Sequence, residues 1–136
     1  MKIKNIFDIA GRAMAAQMVR LNTISSNLAN AGATTGDPET VYKPLKPEFK
    51  TQYSENVKKN GISTVNVSKV VELQKEPFKI FDPNHPLADG DGYIYKAPIN
   101  VEEEMVDMME ASRQYQNNIE VVTTLKALTL KTINLG

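Results

Sequence analysis

The 136-residue chain is predicted to be α+β and mainly α: long N- and C-terminal helices paired as a coiled coil, with a small β-rich middle module. All seven prolines fall between Pro38 and Pro98. Proline breaks helix interiors, so the proline-free flanks are the natural helices. Each flank carries apolar residues at alternating steps of four and three, the spacing of a helix laid along another helix. The middle alternates apolar and polar residues in short runs between turn residues, as strands do. The expected divisions are 1–33 for the N-terminal helix, 34–98 for the Pro-rich loop and β module, and 99–136 for the C-terminal helix.

In the N-segment the stripe is Ile3, Phe7, Ala10, Met14, Gln17, Leu21, Ile24, Leu28 and Ala31. Gly32 is placed to end the helix, because glycine tolerates a left-handed cap. In the C-segment Val101, Met105, Met108, Ser112, Tyr115, Ile119 and Val122 repeat the steps, and Leu125, Leu128, Leu130 and Ile133 widen the stripe. Asn100 is the expected N-cap, with Glu103 at the capping-box position. Glu102, Glu103, Glu104 and Asp107 crowd the first turns, where the helix dipole favours acids; Lys126 and Lys131 lie near the basic-favouring end. Between the flanks, Thr64–Ser68 followed by Val70 and Val71, Pro77–Phe81 and Gly92–Tyr95 are candidate strands. Pro44 and Pro47 demote the stretch around Leu45 to an edge strand or loop.

Composition narrows the function. The absence of Cys excludes a disulfide framework, a thiol nucleophile and thiolate-bound metal. Sixteen basic and sixteen acidic residues cancel, which argues against general nucleic-acid binding. No apolar run approaches the roughly twenty residues a membrane span needs. Asp8 and Arg12 interrupt what would be the apolar region of a secretory signal, so any export would be uncleaved and specialised. The flanks have opposite charge: four basic residues against one acid in 1–33, and three against six in 99–136. That bias fits mutual pairing of the helices.

Candidate chemistry is thin. Asp82, His85, Asp89 and Asp91 could ligate a metal, and Asp89-Gly90-Asp91-Gly92 is similar to part of a calcium loop. The bidentate Glu that such a loop requires is missing, and a tight turn into the Tyr93 strand explains the same residues. His85 is the only imidazole, and no phosphate-binding glycine loop is present. No catalytic residue, cofactor or metal is expected. Asn22, Thr23, Ser25, Ser26, Asn27 and Asn30 form a polar stripe on the N-helix. Two readings of it stand open: a solvated face, or a second packing surface rich in small hydrogen-bonding side chains.

Leu21-Asn22-Thr23-Ile24-Ser25-Ser26-Asn27-Leu28-Ala29-Asn30-Ala31 resembles the N-terminal signature of the axial proteins of the bacterial flagellum. The segment from Glu104 to Val121 resembles their C-terminal signature. Asp82-Pro83-Asn84-His85-Pro86-Leu87-Ala88-Asp89, with Gly92-Tyr93, resembles a stretch particular to the proximal rod protein FlgC family. Many axial proteins follow Ala-Asn with Thr-Pro-Gly-Tyr. Here Pro38 and Tyr42 are displaced by several residues, as is usual for the proximal-rod branch.

The resemblance implies a structural, non-enzymatic subunit of the basal-body rod, exported through the flagellar type III apparatus without signal cleavage. It implies helical assembly with copies of itself and other rod subunits in the periplasm, forming part of the shaft that transmits torque from motor to hook. The terminal helices, roughly 3–31 and 99–133, would pair and form the inner tube. The seam would be Ile3, Phe7, Met14, Leu21, Ile24, Leu28, Met105, Met108, Tyr115, Ile119 and Val122. Asn22, Ser25, Ser26, Asn27 and Asn30 would pack against neighbouring subunits. The alternative is a soluble helical adaptor or export chaperone; an enzyme using Asp82, His85 and Asp89 is a distant third.

Overall fold

A computed structural model describes residues 3–52 and 64–136. Lys2, part of the basic N-segment, lies outside the described residues, as does the side chain of Ile3, the first seam position. Helix α1 spans Ile3–Asn30, and helix α2 spans Val101–Asn134. Between them come β1 (Thr34–Thr35), a 3-10 turn at Pro38–Thr40, β2 (Leu45–Gln52), β3 (Thr64–Glu72), β4 (Phe78–Phe81) and β5 (Tyr93–Lys96). No helix among the described residues is long and apolar enough to cross a membrane.

The helix ends follow local chemistry. The Asn100 side chain accepts from the Glu102 and Glu103 backbone N–H groups, satisfying two of the orphan donors at the start of α2. The end of α1 differs from expectation. Gly32 is not left-handed; Gly92 alone among the described residues has a positive φ, at 82°. The last turn of α1 instead tightens, with Ala31 N–H donating to Leu28 O and Ala33 N–H to Asn30 O. These bonds meet two of the terminal acceptors without a glycine cap, and Asn30 Nδ2 adds a bond to the Ser26 carbonyl at 2.8 Å.

The middle forms two sheets rather than one. β1, β5 and β4 make a three-stranded antiparallel sheet in that order. β2 and β3 make a separate antiparallel ribbon. The three candidate strands become β3, β4 and β5. The Leu45 stretch forms β2 although Pro47 sits within it, facing Val70. A two-stranded ribbon has only edge strands, where proline need not break a ladder bond. The pairing shifts between Glu48 and Phe49, leaving Ser68 as the extra residue of a bulge, which bends and twists the ribbon.

The ribbon lies along α1. β2 begins at Asn27 and runs back toward the start of the helix, where Arg12 Nη1 donates to Asn66 Oδ1 at 3.4 Å. Leu45 to Lys50, which faces Asn66, covers about 17 Å of strand. Asn27 back to Arg12 covers about 22 Å of helix, and the long arginine side chain spans the difference. Thus α1 contacts α2 on one side and the β2–β3 ribbon on another.

Where the helices meet the sheet, Ala31, Val41, Ala97 and Ile99 form a small core with Tyr42 and Tyr95 packed against it. Among the described residues no large side chain is completely withdrawn from solvent. The core is therefore built mainly from small groups at close approach.

Candidate functional site

Asn27 ties three elements together. It is 2% exposed. Its Oδ1 accepts from the Leu45 N–H at 2.8 Å, and its Nδ2 donates to the Leu45 carbonyl at 3.0 Å. The side-chain amide thus pairs with a backbone amide as a neighbouring strand would. Nδ2 also lies 3.2 Å from each carboxylate oxygen of Glu104 on α2. Tyr42 Oη donates to Asn27 Oδ1 at 3.1 Å and lies 2.9 Å from Ser26 Oγ. Every polar atom of this knot has a partner, which is what makes burying it tolerable.

Glu104 has its pKa raised. Desolvation by burial is the largest cause, opposed by the Asn27 hydrogen bond and reinforced by the nearby Asp107. The knot thus holds a carboxylate where its charge is disfavoured, beside a donor that favours it.

Two turns toward the start of α1, the pairing continues. Arg20 Nη2 reaches Asp107 at 3.2 Å and Glu110 at 3.3 Å, realising the charge bias between the helices. The two acids are largely exposed, and the pairs contribute about 1 kcal/mol or less. Because Asn27 meets Glu104 and Arg20 meets later residues of α2, the helices run antiparallel.

Most positions of the α1 stripe are withdrawn: Phe7, Met14, Leu21 and Leu28 are half-buried and Ile24 is buried. On α2 the withdrawn positions are Glu104, Met108, Ala111, Ser112, Tyr115, Asn118, Val122, Leu125 and Thr129, all but Ser112 falling in steps of four and three. The withdrawn set includes Met108, Ser112, Tyr115, Val122 and Leu125 of the expected stripe and adds Glu104, Ala111, Asn118 and Thr129. Met105 and Ile119, expected in the seam, are 54% and 42% exposed. The reason is local. Asn27 draws Glu104 inward, and Ala111, at 0% exposure, is small enough to let the helices close.

The polar stripe of α1 divides. Asn22 and Ser25 are exposed. Ser26, Asn27 and Asn30 instead bond within the chain, to Tyr42, to Leu45 and Glu104, and to the Ser26 carbonyl respectively. Thr23 is buried with its hydroxyl donating to the Arg20 carbonyl. So three of the five residues expected to face other subunits have intrachain partners.

The Asp82–Gly92 segment is a turn organised by its own backbone. Asp89 Oδ1 accepts from the Asp91 and Tyr93 N–H groups, and Oδ2 accepts from Tyr95 Oη at 3.2 Å. The Tyr93 N–H bond is the main reason the Asp89 pKa is lowered; partial burial is first in raising that of Tyr95, followed by its bond to Asp89. His85 Nδ1 accepts from the Leu87 N–H. Among the described residues no group of three or more His, Asp or Glu is arranged to hold a metal. Gly36 approaches this turn closely: a Cβ there would lie 2.5 Å from the Leu87 carbonyl oxygen.

Beyond the intrachain contacts, α2 keeps a broad apolar surface. Met105, Val106, Met109, Val121, Leu128, Leu130 and Ile133 are all exposed. Sequence reasoning did not single out Glu104 and Tyr42 as joint residues. Glu104 read as one of several helix-start acids, and only the Ala111-containing stripe, one position from the chosen seam, carried a signal for it.

The comparisons with known proteins match this architecture end to end. A family model described as "Flagella basal body rod protein" matches residues 7–36, which hold most of α1 and the polar knot's Asn27. A model described as "Flagellar basal body rod FlgEFG protein C-terminal" matches residues 91–135, from β5 through α2. Flagellar basal-body rod protein FlgC of Salmonella typhimurium is 43% identical over 136 residues, covering 100% of this chain and 99% of the relative. The proteins of that name from Escherichia coli and Yersinia enterocolitica are 42% and 40% identical over the same coverage. The chain therefore belongs to the FlgC family of flagellar basal-body rod proteins, and it is a structural subunit of the basal-body rod.

Proposed function

We propose that the subunit assembles helically with copies of itself and with other rod subunits, through its terminal helices, into the proximal part of the drive shaft. In this reading it passes through the flagellar type III export apparatus without signal cleavage and acts in the periplasm, transmitting torque from motor to hook. It performs no catalysis. The observation that carries the reading is the apolar surface of α2 left outside the intrachain pair, including Met105, Val106, Met109 and Ile119. A lone helix pair gains nothing from that surface, whereas a packed shaft buries it. Each apolar Å² removed from water is worth about 25 cal/mol, so a stripe of this kind is a substantial driving force. Heterologous contacts that do not close into a ring extend into a helical array. Asn22 and Ser25, exposed on α1, supply hydrogen-bonding groups for the same packing.

The test uses two substitutions that act differently. Ile119→Asp lies on an exposed position, so the purified monomer is expected to keep its stability within about 0.5 kcal/mol. Rod incorporation and motility are expected to be lost. Phe7→Asp, at a half-buried position, is expected to lose both stability and incorporation. Normal motility in the Ile119→Asp strain overturns the proposal.

A further inference from the structure

Gln17 is a polar residue in an apolar stripe. It follows Ala10 and Met14 and precedes Leu21 and Ile24 at the four-three spacing. Its Oε1 is buried and has no hydrogen-bond partner. It lies about one helical turn from Arg20, whose guanidinium reaches Asp107 and Glu110 on α2. At this level the helices are close, with Ala16 and Ala111 both buried. An unmet acceptor in such a place is costly, since its desolvation has no compensating bond. The contrast with Asn27, ten residues on, is direct: there both ends of the amide are saturated.

We propose that Gln17 holds the α1–α2 pair below the stability its apolar seam would otherwise reach, so that the outer half of the pair opens readily for assembly while the Asn27 end stays closed. Asn27 anchors one end through hydrogen bonds to two other elements. Gln17, midway along α1, loosens the half that leads to the other end, where α1 has no comparable knot among the described residues. Polar residues at seam positions of coiled coils trade stability for specificity in this way. The opened helices can then exchange intrachain contacts for contacts with a second copy, and the Gln17 amide is free to find a donor there. This rests on the assembly reading above.

The experiment compares wild type with Gln17→Met, a substitution of similar length that removes the orphaned acceptor. The purified Gln17→Met monomer is expected to melt about 4–8 °C higher. Amide exchange over residues 10–24 is expected to slow, with exchange near Leu45 unchanged. In a strain lacking the native subunit, wild type is expected to enter rods and Gln17→Met to enter them less. An unchanged or lower melting temperature overturns the proposal, as does a stabilised variant that incorporates as well as wild type. Failure of wild type itself to enter rods would instead overturn the assembly reading.

Discussion

The two long helices carry the same alternation of four and three, yet their surroundings differ. Helix α1 is covered on two sides, by α2 and by the β2–β3 ribbon. Helix α2 is covered on one, and most of its large apolar residues stay exposed. The difference teaches how far a heptad pattern can be trusted. Where a helix is covered on two sides, a four-three pattern falls on withdrawn positions, as at Phe7, Met14, Ile24 and Leu28. Where apolar residues are spread around the helix, several overlapping stripes satisfy the same spacing. A single small residue and a polar contact then select among them, here Ala111 and the Asn27–Glu104 bond.

The sharpest way to break this comparison is at the knot. Asn27→Ala leaves the Leu45 amide, the Tyr42 hydroxyl and the Glu104 carboxylate without their buried partner. It is expected to cost about 3 kcal/mol in urea unfolding. Asn22→Ala, five residues earlier on the exposed side, is expected to change stability by less than about 0.5 kcal/mol. Equal effects would mean that the two faces of α1 are equivalent.

The next test addresses close approach. Ala111→Leu inserts bulk where α2 has none to spare and is expected to cost about 1–3 kcal/mol. Met109→Leu, two residues away on the exposed side, is expected to be neutral in the monomer.

The smallest expected effect is a pH dependence. The folded Glu104 pKa is raised above its unfolded value, mainly by burial. Folding is therefore linked to proton uptake, and this group's contribution is fully present below its unfolded pKa and is lost as pH rises through its folded pKa. Asp89 has the opposite sign: its pKa is lowered, so its contribution is present above the unfolded pKa and is lost as pH falls through the folded one. Glu104→Gln keeps an acceptor for Asn27 while removing the titration. Its stability advantage over wild type is expected to grow as the pH rises above the acidic range and to vanish below it. An unfolding series from about pH 3 to about pH 7, which spans the carboxylate range, checks this sign.

Much of the architecture was legible in the residues. Proline placement marked the helices, Asn100 marked the start of α2, and alternation marked β3, β4 and β5. Three features were not, for identifiable reasons. Pro47 disfavours a strand locally, but a ribbon of edge strands accommodates it. Gly32 allows a left-handed cap, but the last turn of α1 tightens instead, with Ala31 and Ala33 N–H groups donating back into it. The polar stripe stands out in the sequence, but its division depends on Tyr42, Leu45 and Glu104, which lie far along the chain. No local pattern reports such long-range partners.

The junction between the helices and the three-stranded sheet has a consequence for how the family can vary. Ala97 N–H donates to Ala33 O at 3.2 Å, and β1 pairs with β5 from Thr34 opposite Lys96. The whole middle segment therefore leaves and returns through one gate, stitched shut at its base. Enlarging a loop whose ends are already pinned costs only about 0.6 kcal/mol per doubling of length. Provided that Leu45 still meets Asn27, the middle can be lengthened or exchanged as a cassette while the paired helices below keep their geometry.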